Sequence, residues 1–156
     1  MDKIDFNKLS SFQLDVLKEV GNIGAGNAAT ALSKLLKKKI TMYVPNVRVM
    51  EFKEVSYMLE NAEEPVIGLL IQIVGDFSGY ILIILEYETV GLFLSNLAES
   101  TSVKFDNLEE EFGFTELEIS ALKEVGNILA ASYLSALSDL TGLKADRKST
   151  RLNSSH

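Results

Sequence analysis

Two side chains of this chain have a type and a spacing that could do chemistry, and their arrangement occurs twice. Glu19 stands three residues before Asn22, and Glu124 stands three residues before Asn127. Both pairs lie within the identical stretch Leu-Lys-Glu-Val-Gly-Asn-Ile, at an offset of 105 positions. Packing requires apolar residues to recur, but it does not require a Glu and an Asn at fixed spacing. The duplication therefore indicates one small polar site that is built twice.

A third polar residue precedes each pair by one helical turn. Asp15 lies four residues before Glu19, and Ser120 holds the same place before Glu124. Residues at positions i, i+4 and i+7 share one face of an α-helix. We therefore expect each set of three to form a polar row facing solvent. Asp15 and Ser120 would either place the Glu or simply support the helix.

The chemistry open to a Glu–Asn pair is limited and specific. A carboxamide is not a base near neutral pH, but it can hold a water molecule by donating and accepting hydrogen bonds. A carboxylate beside it can pair with a lysine on a partner. The pair is weak as a complete hydrolase and better suited to half of a site that another protein completes. The alternative, a solvated helix face without function, is weakened by the recurrence in register.

Apolar residues at helical spacing surround both pairs. The first helix is predicted to begin at a cap formed by Ser10 or Ser11 and to close at the lysines of residues 37–39. The second is predicted to begin at Thr115 with Glu118 completing a capping box, and to run to about Leu140, before Gly142.

Three glycines interrupt the apolar pattern of the first helix, at Gly21, Gly24 and Gly26. Each costs a helix about 1 kcal/mol relative to alanine. They predict either a break in the helix or the close approach of another backbone. Close helix packing is favoured over a nucleotide-binding loop, because the order of the glycines is wrong for such a loop and no strand precedes them.

Between the two helices the pattern changes to that of strands. Alternation over residues 40–52 predicts a strand that Pro45 interrupts or places at an edge. Residues 66–74 and 80–85 predict a hairpin, and their near-continuous apolar character predicts cover on both faces of the sheet. The remaining predicted elements are a short helix and an acidic connection, at residues 89–97 and 99–112.

Composition limits the class of partner. The 156-residue chain has a net charge of -7 and a pI near 4.8, which argues against nucleic acid. It contains no cysteine, which excludes disulfides, thiol chemistry and cysteine-zinc sites. The N-terminus has no signal-peptide pattern, and the longest apolar stretch is too short to span a bilayer. We therefore expect a cytoplasmic protein with no membrane partner.

Residues 146–156 differ in character from the rest of the chain. They are polar and basic, lack periodicity and include the only histidine. They also resemble the translation of a short-read sequencing adaptor, although an ordinary disordered terminus has the same composition. We predict a non-native tail on a chain truncated near Ala145, so these residues are not expected to belong to the fold. The second half would then lack its strands, exposing a sheet edge in the first half and leaving the second motif helix without a sheet.

These elements predict an α/β fold with internal pseudo-two-fold symmetry. We expect a mainly antiparallel sheet covered on one side by the two long motif helices. Residues 1–145 would form a single domain, with a first half over about 9–100 and a truncated second half over about 113–145.

The spaced polar motif resembles that of the CheC/CheX/FliY family of chemotaxis phosphatases. The family pattern is Asp or Ser, three residues, Glu, two residues, Asn, twenty-two residues, Pro. Asp15, Glu19, Asn22 and Pro45 match it in full. The second copy matches through its Asn, but Thr150 stands where the proline is expected. Two motif copies without a fused switch domain resemble the CheC-like members, over residues 9 to about 145.

The resemblance implies a phosphatase that dephosphorylates the phospho-aspartate of the response regulator CheY. Glu19 or Glu124 would pair with the active-site lysine of the regulator. Asn22 or Asn127 would enter that site and orient a water molecule for in-line attack, which is catalysis by positioning.

The resemblance also implies the accessory features of the reaction. Asp15, Ser120 and Pro45 would be supporting motif positions. No cofactor of its own is expected, because Mg²⁺ would be held by the regulator. A second implied partner is the receptor deamidase CheD. The alternatives are a non-catalytic adaptor that binds CheY or CheD and, less favoured, a structural component of the flagellar switch.

Overall fold

The computed structural model describes residues 8–44, 46–60, 63–101, 110–111 and 113–155. Within the described residues, five strands form two antiparallel sheets, one of three strands and one of two short strands. The predicted α/β class with an antiparallel sheet is confirmed. In chain order the elements are α1 (Ser11–Leu36), α2 (Phe52–Glu60), β1 (Val66–Gly75), β2 (Gly79–Glu86), α3 (Tyr87–Thr101), β3 (Glu110–Glu111), β4 (Phe114–Thr115), α4 (Glu116–Thr141) and β5 (Ala145–Ser155).

Helix α1 is continuous through its three glycines. It begins at Ser10, whose hydroxyl accepts from the Gln13 N–H at 3.2 Å while the Gln13 side chain accepts from the Ser10 N–H at 2.8 Å. A Cβ added to Gly24 would lie 2.6 Å from Cδ1 of Tyr133 and 3.1 Å from its Cα. The absence of a side chain at Gly24 therefore lets α1 and α4 pack closely, which is the second of the two predicted explanations.

Helix α4 begins and ends where the sequence predicts. The Thr115 hydroxyl accepts from the Glu118 N–H at 3.2 Å, and the Glu118 carboxylate accepts from the Thr115 N–H at 3.0 Å. Gly142 adopts φ 73° and donates its N–H to the Ser138 carbonyl at 2.8 Å. Both ends of the helix thus satisfy backbone groups that would otherwise be unpaired.

Strand β1 is the centre of the larger sheet and β2 is one of its edges. The alternate side chains Ile67, Leu69, Ile71 and Ile73 of β1 are buried. In β2, Tyr80, Leu82 and Ile84 are exposed on the opposite face. The prediction of cover on both faces is therefore wrong for β2. An apolar run is compatible with a one-sided edge strand, because periodicity alone does not reveal which faces are covered.

Residues 145–155 form a strand, which corrects the prediction that the second half lacks strands. They pair antiparallel with β1 along its whole length, with a bulge between Gln72 and Ile73. Leu152 lies opposite Leu69 and is only 8% exposed, in the same core cluster. The segment satisfies main-chain groups along β1 that would otherwise form an open edge. Its proposed non-native origin stays a prediction.

Helix α4 therefore has a sheet beneath it, and the prediction of an uncovered motif helix is wrong. A Cβ on Gly126 would lie 3.1 Å from Cδ1 of Leu69, so α4 approaches β1 closely. Helix α1 packs alongside α4. One buried cluster joins the two helices, and its members are Ala28, Leu32, Val125 and Leu129.

The segment between α1 and α2 is not the predicted strand. The described residues of 40–51 form no ladder, and residues 52–60 form a helix that the sequence reasoning missed. Ile40 and Met42 pack against the cluster between α1 and α4 instead. The predicted short helix at 89–97 is part of the longer α3, and much of the predicted acidic connection lies outside the described residues. No described helix is long and apolar enough to cross a membrane.

Candidate functional site

The first polar row lies on the N-terminal half of α1. Asp15 and Glu19 are exposed, while Asn22 is half-buried. The three residues share one helix face by their spacing. The row thus offers a free carboxylate on the turn before a partly enclosed carboxamide, which is the arrangement the sequence predicts.

The carboxamide of Asn22 is held by the main chain of Val44. The Val44 N–H donates to Oδ1 of Asn22 with N···O 2.7 Å. A backbone N–H can only donate, so the atom it faces must be the oxygen. The carbonyl oxygen is therefore turned toward Val44, and Nδ2 is turned away from it. Nδ2 makes no hydrogen bond to another residue that the structure describes.

The segment that carries Val44 is fixed to α1 at two points. Besides the bond to Asn22, the Ile40 N–H donates to the Ser33 hydroxyl at 2.9 Å. A Cβ added to Gly21 would lie 3.0 Å from Cγ2 of Val44, so the segment runs directly over this glycine. These contacts hold the segment against α1, and its described residues join no sheet.

The second polar row repeats the exposure pattern of the first. Ser120 and Glu124 are exposed and Asn127 is half-buried. Oδ1 of Asn127 accepts from the Thr150 hydroxyl at 2.9 Å. Arg147 donates from Nη1 to the Asn127 carbonyl at 2.8 Å. The donor to the carboxamide is thus a side chain in this copy and the main chain in the first copy.

The surroundings of the two copies differ in character. The second copy opens into a shallow groove of about 500 Å³ that contains three basic side chains. The lining residues are Lys123, Glu124, Asn127, Asp146, Arg147, Lys148, Ser149 and Thr150. The first copy instead has large apolar side chains exposed around Glu19, namely Phe12, Val16, Leu17 and Ile23.

The sequence reasoning did not predict the contact between Val44 and Asn22. The available signal was the fixed distance from the motif Asn to Pro45, because Val44 directly precedes that proline. Pro45 itself lies outside the described residues, so its supporting role stays a prediction. Its counterpart Thr150 does reach Asn127.

The described residues of the two polar rows form no metal centre. Among the residues that the structure describes, no group of three or more His, Cys, Asp or Glu side chains could hold a metal ion. The chemical resources of each site are a carboxylate, an oriented carboxamide and main-chain groups. Such a site can position a water molecule and pair with a cation.

Comparisons of sequence agree with these features. Residues 12–49 and 117–146 match the model of the CheC-like family. CheY-P phosphatase CheC of Bacillus subtilis is 38% identical over 139 residues, which is 89% of this chain and 65% of that protein. Flagellar motor switch phosphatase FliY of Bacillus subtilis is 26% identical over 142 residues, which is 91% of this chain and 35% of that protein. The chain spans less than two thirds of the length of either relative.

Solved structures show the same fold. The crystal structure of Thermotoga maritima FliY superposes with a TM-score of 0.77 at 23% identity, over 96% of this chain and 71% of that chain. The middle domain of FliM from H. pylori superposes with a TM-score of 0.66 at 12% identity, over 92% of this chain and 73% of that chain. The two sequence segments that match the family model, 12–49 and 117–146, each contain a complete Glu–Asn pair on a long helix. Over these two segments the chain is similar to the CheC-like family.

Proposed function

We propose that this chain is a phosphatase for the aspartyl phosphate of a CheY-type response regulator. The observation that carries the proposal is the presentation of Asn22, a half-buried carboxamide oriented by the Val44 N–H and preceded by the exposed Glu19. The name of one relative, CheY-P phosphatase CheC, supports this substrate.

The proposed reaction is hydrolysis by in-line displacement. A water oxygen bonds to phosphorus, the bond from phosphorus to the aspartyl oxygen breaks, and both protons of the water leave on the phosphate. Asn22 would hold that water through an Nδ2 proton and the second lone pair of Oδ1. Glu19 would pair with a lysine of the regulator, and Mg²⁺ would be carried by the regulator. The contribution of this chain is positioning, as for the glutamine that orients water in GTPases.

We propose further that the first copy is the principal site. Phe12 is 76% exposed, Val16 is 42% exposed and Ile23 is 37% exposed, and their spacing places them along the helix around Glu19. Exposed apolar groups beside a polar site are typical of a protein-docking surface. A regulator that brought its phosphate to Asn22 would cover these side chains.

The second copy has less of such a surface. Leu117, the counterpart of Phe12, is 49% exposed, but the counterparts of Val16 and Ile23 are half-buried. The groove beside it carries Arg147 and Lys148, whose charge Asp146 offsets only in part, and the remaining positive charge would oppose the approach of a regulator lysine. We therefore expect Glu124 and Asn127 to contribute less to turnover.

The alternative is a non-catalytic adaptor that binds CheY or the deamidase CheD through the same rows. The intact Glu–Asn pairs favour catalysis, since binding alone does not require an oriented carboxamide. Binding of CheD and a cytoplasmic location stay predictions from the family resemblance.

The test is the rate of phosphate loss from phosphorylated CheY in the presence of the 156-residue chain. Variants Asn22→Ala, Asn127→Ala and their combination would be compared with Asn27→Ala, an exposed asparagine on the same helix. We expect Asn22→Ala to lower the rate by roughly 10²-fold, by analogy with the loss of one oxyanion donor. The combined variant should be inactive and Asn27→Ala unaffected. Regulator binding without acceleration would favour the adaptor.

A further inference from the structure

We infer that Gly21 and Val44 are positioning residues that set the orientation of the Asn22 carboxamide. Gly21 directly precedes Asn22 in the motif, and Val44 belongs to the extended segment after α1. The effect on turnover rests on the proposed function, whereas the orientation of the Asn22 carboxamide is argued from the contacts alone.

The hydrogen bond from Val44 fixes the orientation of the Asn22 carboxamide. The N···O distance of 2.7 Å between Val44 and Asn22 is short for a neutral amide pair. It fixes one lone pair of Oδ1 and, because the carboxamide is planar, also the direction of Nδ2. A rotation of the amide would place Nδ2 against the Val44 N–H, two donors facing each other. The bond therefore selects one of the two amide orientations.

The segment that carries Val44 lies close to α1 at Gly21. Val44 passes directly over Gly21 where it meets Asn22, and a Cβ added to Gly21 would lie 3.0 Å from Cγ2 of Val44. Contacts this short require one group to move by a few tenths of an ångström. The β-branched Val44 side chain is stiff at χ1, so the displacement would pass to its main chain. An alanine at position 21 would therefore lengthen or misdirect the bond to Asn22.

The segment from Ile40 to Val44 has little freedom to absorb a displacement of Val44. The Ile40 N–H is bound to the Ser33 hydroxyl at 2.9 Å, and Ile40 packs against the cluster between α1 and α4. Only three residues lie between Ile40 and Val44. A shift imposed at Val44 would therefore be expressed at the Asn22 bond.

The arrangement is specific to the first copy. The equivalent glycine of the second copy, Gly126, faces the sheet, where its added Cβ would lie 3.1 Å from Cδ1 of Leu69. The same residue type thus lets the helix approach the sheet in one copy and lets a positioning segment approach in the other.

The test combines Gly21→Ala with a rescue variant and a matched control. We expect Gly21→Ala to lower kcat for phosphorylated CheY by roughly tenfold and to leave KM unchanged. A catalytic group misplaced by 1 Å can cost about 10²-fold in rate, and the displacement expected here is smaller. Adding Val44→Ala should restore most of the rate, because it removes the 3.0 Å contact with Cγ2 and leaves the Cβ of residue 44 at an ordinary contact distance of 3.7 Å. Gly26→Ala is the control, since a Cβ there has no neighbour within 4 Å.

A second readout does not depend on activity. Hydrogen exchange of the Val44 amide, measured by NMR on the whole chain, should be slow in the wild type and in Gly26→Ala. It should be faster in Gly21→Ala and in Asn22→Ala, and slow again in the Gly21→Ala/Val44→Ala pair. An unchanged Val44 exchange rate in Gly21→Ala would overturn the inference. A wild type without phosphatase activity would overturn the proposed function instead, and the exchange pattern would still decide this inference.

Discussion

Asn22 and Asn127 each accept a hydrogen bond at the side-chain oxygen from the extended segment that follows their own helix. The donor is the Val44 N–H at 2.7 Å in the first copy and the Thr150 hydroxyl at 2.9 Å in the second. The donors are 22 and 23 residues after their asparagines. The duplication therefore extends from the helical motif to the chain that orients it. The two copies differ in the kind of donor they use.

That difference makes the second carboxamide sensitive to a side-chain substitution. In an Asn22→Ala background, where Asn127 alone remains, Thr150→Val should lower the residual rate of CheY dephosphorylation several-fold, because the donor to Oδ1 is removed with little change in volume. Thr30→Val is the matched control, since its hydroxyl bonds only to the Gly26 carbonyl of its own helix. Equal residual rates in the two variants would show that Thr150 does not orient Asn127.

Strand β5 should contribute measurably to stability. Leu152→Ala removes a side chain that is 8% exposed in the main core cluster, and we expect the free energy of unfolding to fall by about 2 kcal/mol. Leu140→Ala, at an exposed position of α4, should change it by less than about 0.5 kcal/mol. Urea unfolding followed by circular dichroism measures both. A value for Leu152→Ala as small as that for Leu140→Ala would mean that β5 is not docked in solution.

The packing of the motif helices depends on Gly24 and not on Gly26. Gly24→Ala should destabilise the protein by about 1–3 kcal/mol, because its Cβ would lie 2.6 Å from Tyr133. Gly26→Ala has open space and should stabilise by up to about 1 kcal/mol through helix propensity. Thermal unfolding of the pair tests this. Stabilisation by both substitutions would contradict the close contact between α1 and α4.

The exposed apolar side chains of α1 should act on binding and not on chemistry. Phe12→Ala should raise KM for phosphorylated CheY by roughly tenfold with kcat unchanged, as expected for loss of an aromatic anchor. Phe52→Ala, which removes an equally exposed phenylalanine from α2, is the control and should change neither constant. A fall in kcat for Phe12→Ala, or equal effects of the two substitutions, would remove the argument for docking on α1.

What the sequence could predict was determined by local interactions. The caps at Ser10 and Thr115 and the hairpin turn between β1 and β2 depend on neighbouring residues, and all three are confirmed. The segment around Val44 alternates like a strand, but an extended chain packed on a helix alternates in the same way. Strand β5 was missed because its polar sequence carries no pattern, and its pairing with β1 is a long-range contact.

The candidate site could likewise be predicted only in part. The polar rows could be read from their repetition, because side-chain types recur in the sequence. The orientation of Asn22 could not, because a main-chain N–H is present at every residue except proline and leaves no signature. The role of Gly21 was equally hidden, since the sequence shows a missing side chain but not the neighbour that fills the space.

The most direct test of catalysis by Asn22 and Asn127 compares the rate constant for phosphate loss from phosphorylated CheY with saturating wild-type chain and with the Asn22→Ala/Asn127→Ala variant. Regulator binding would be measured on the same samples. We predict acceleration by the wild type that disappears in the variant while binding persists. Equal acceleration by both proteins would contradict the proposal that an oriented carboxamide on the motif helix places the attacking water.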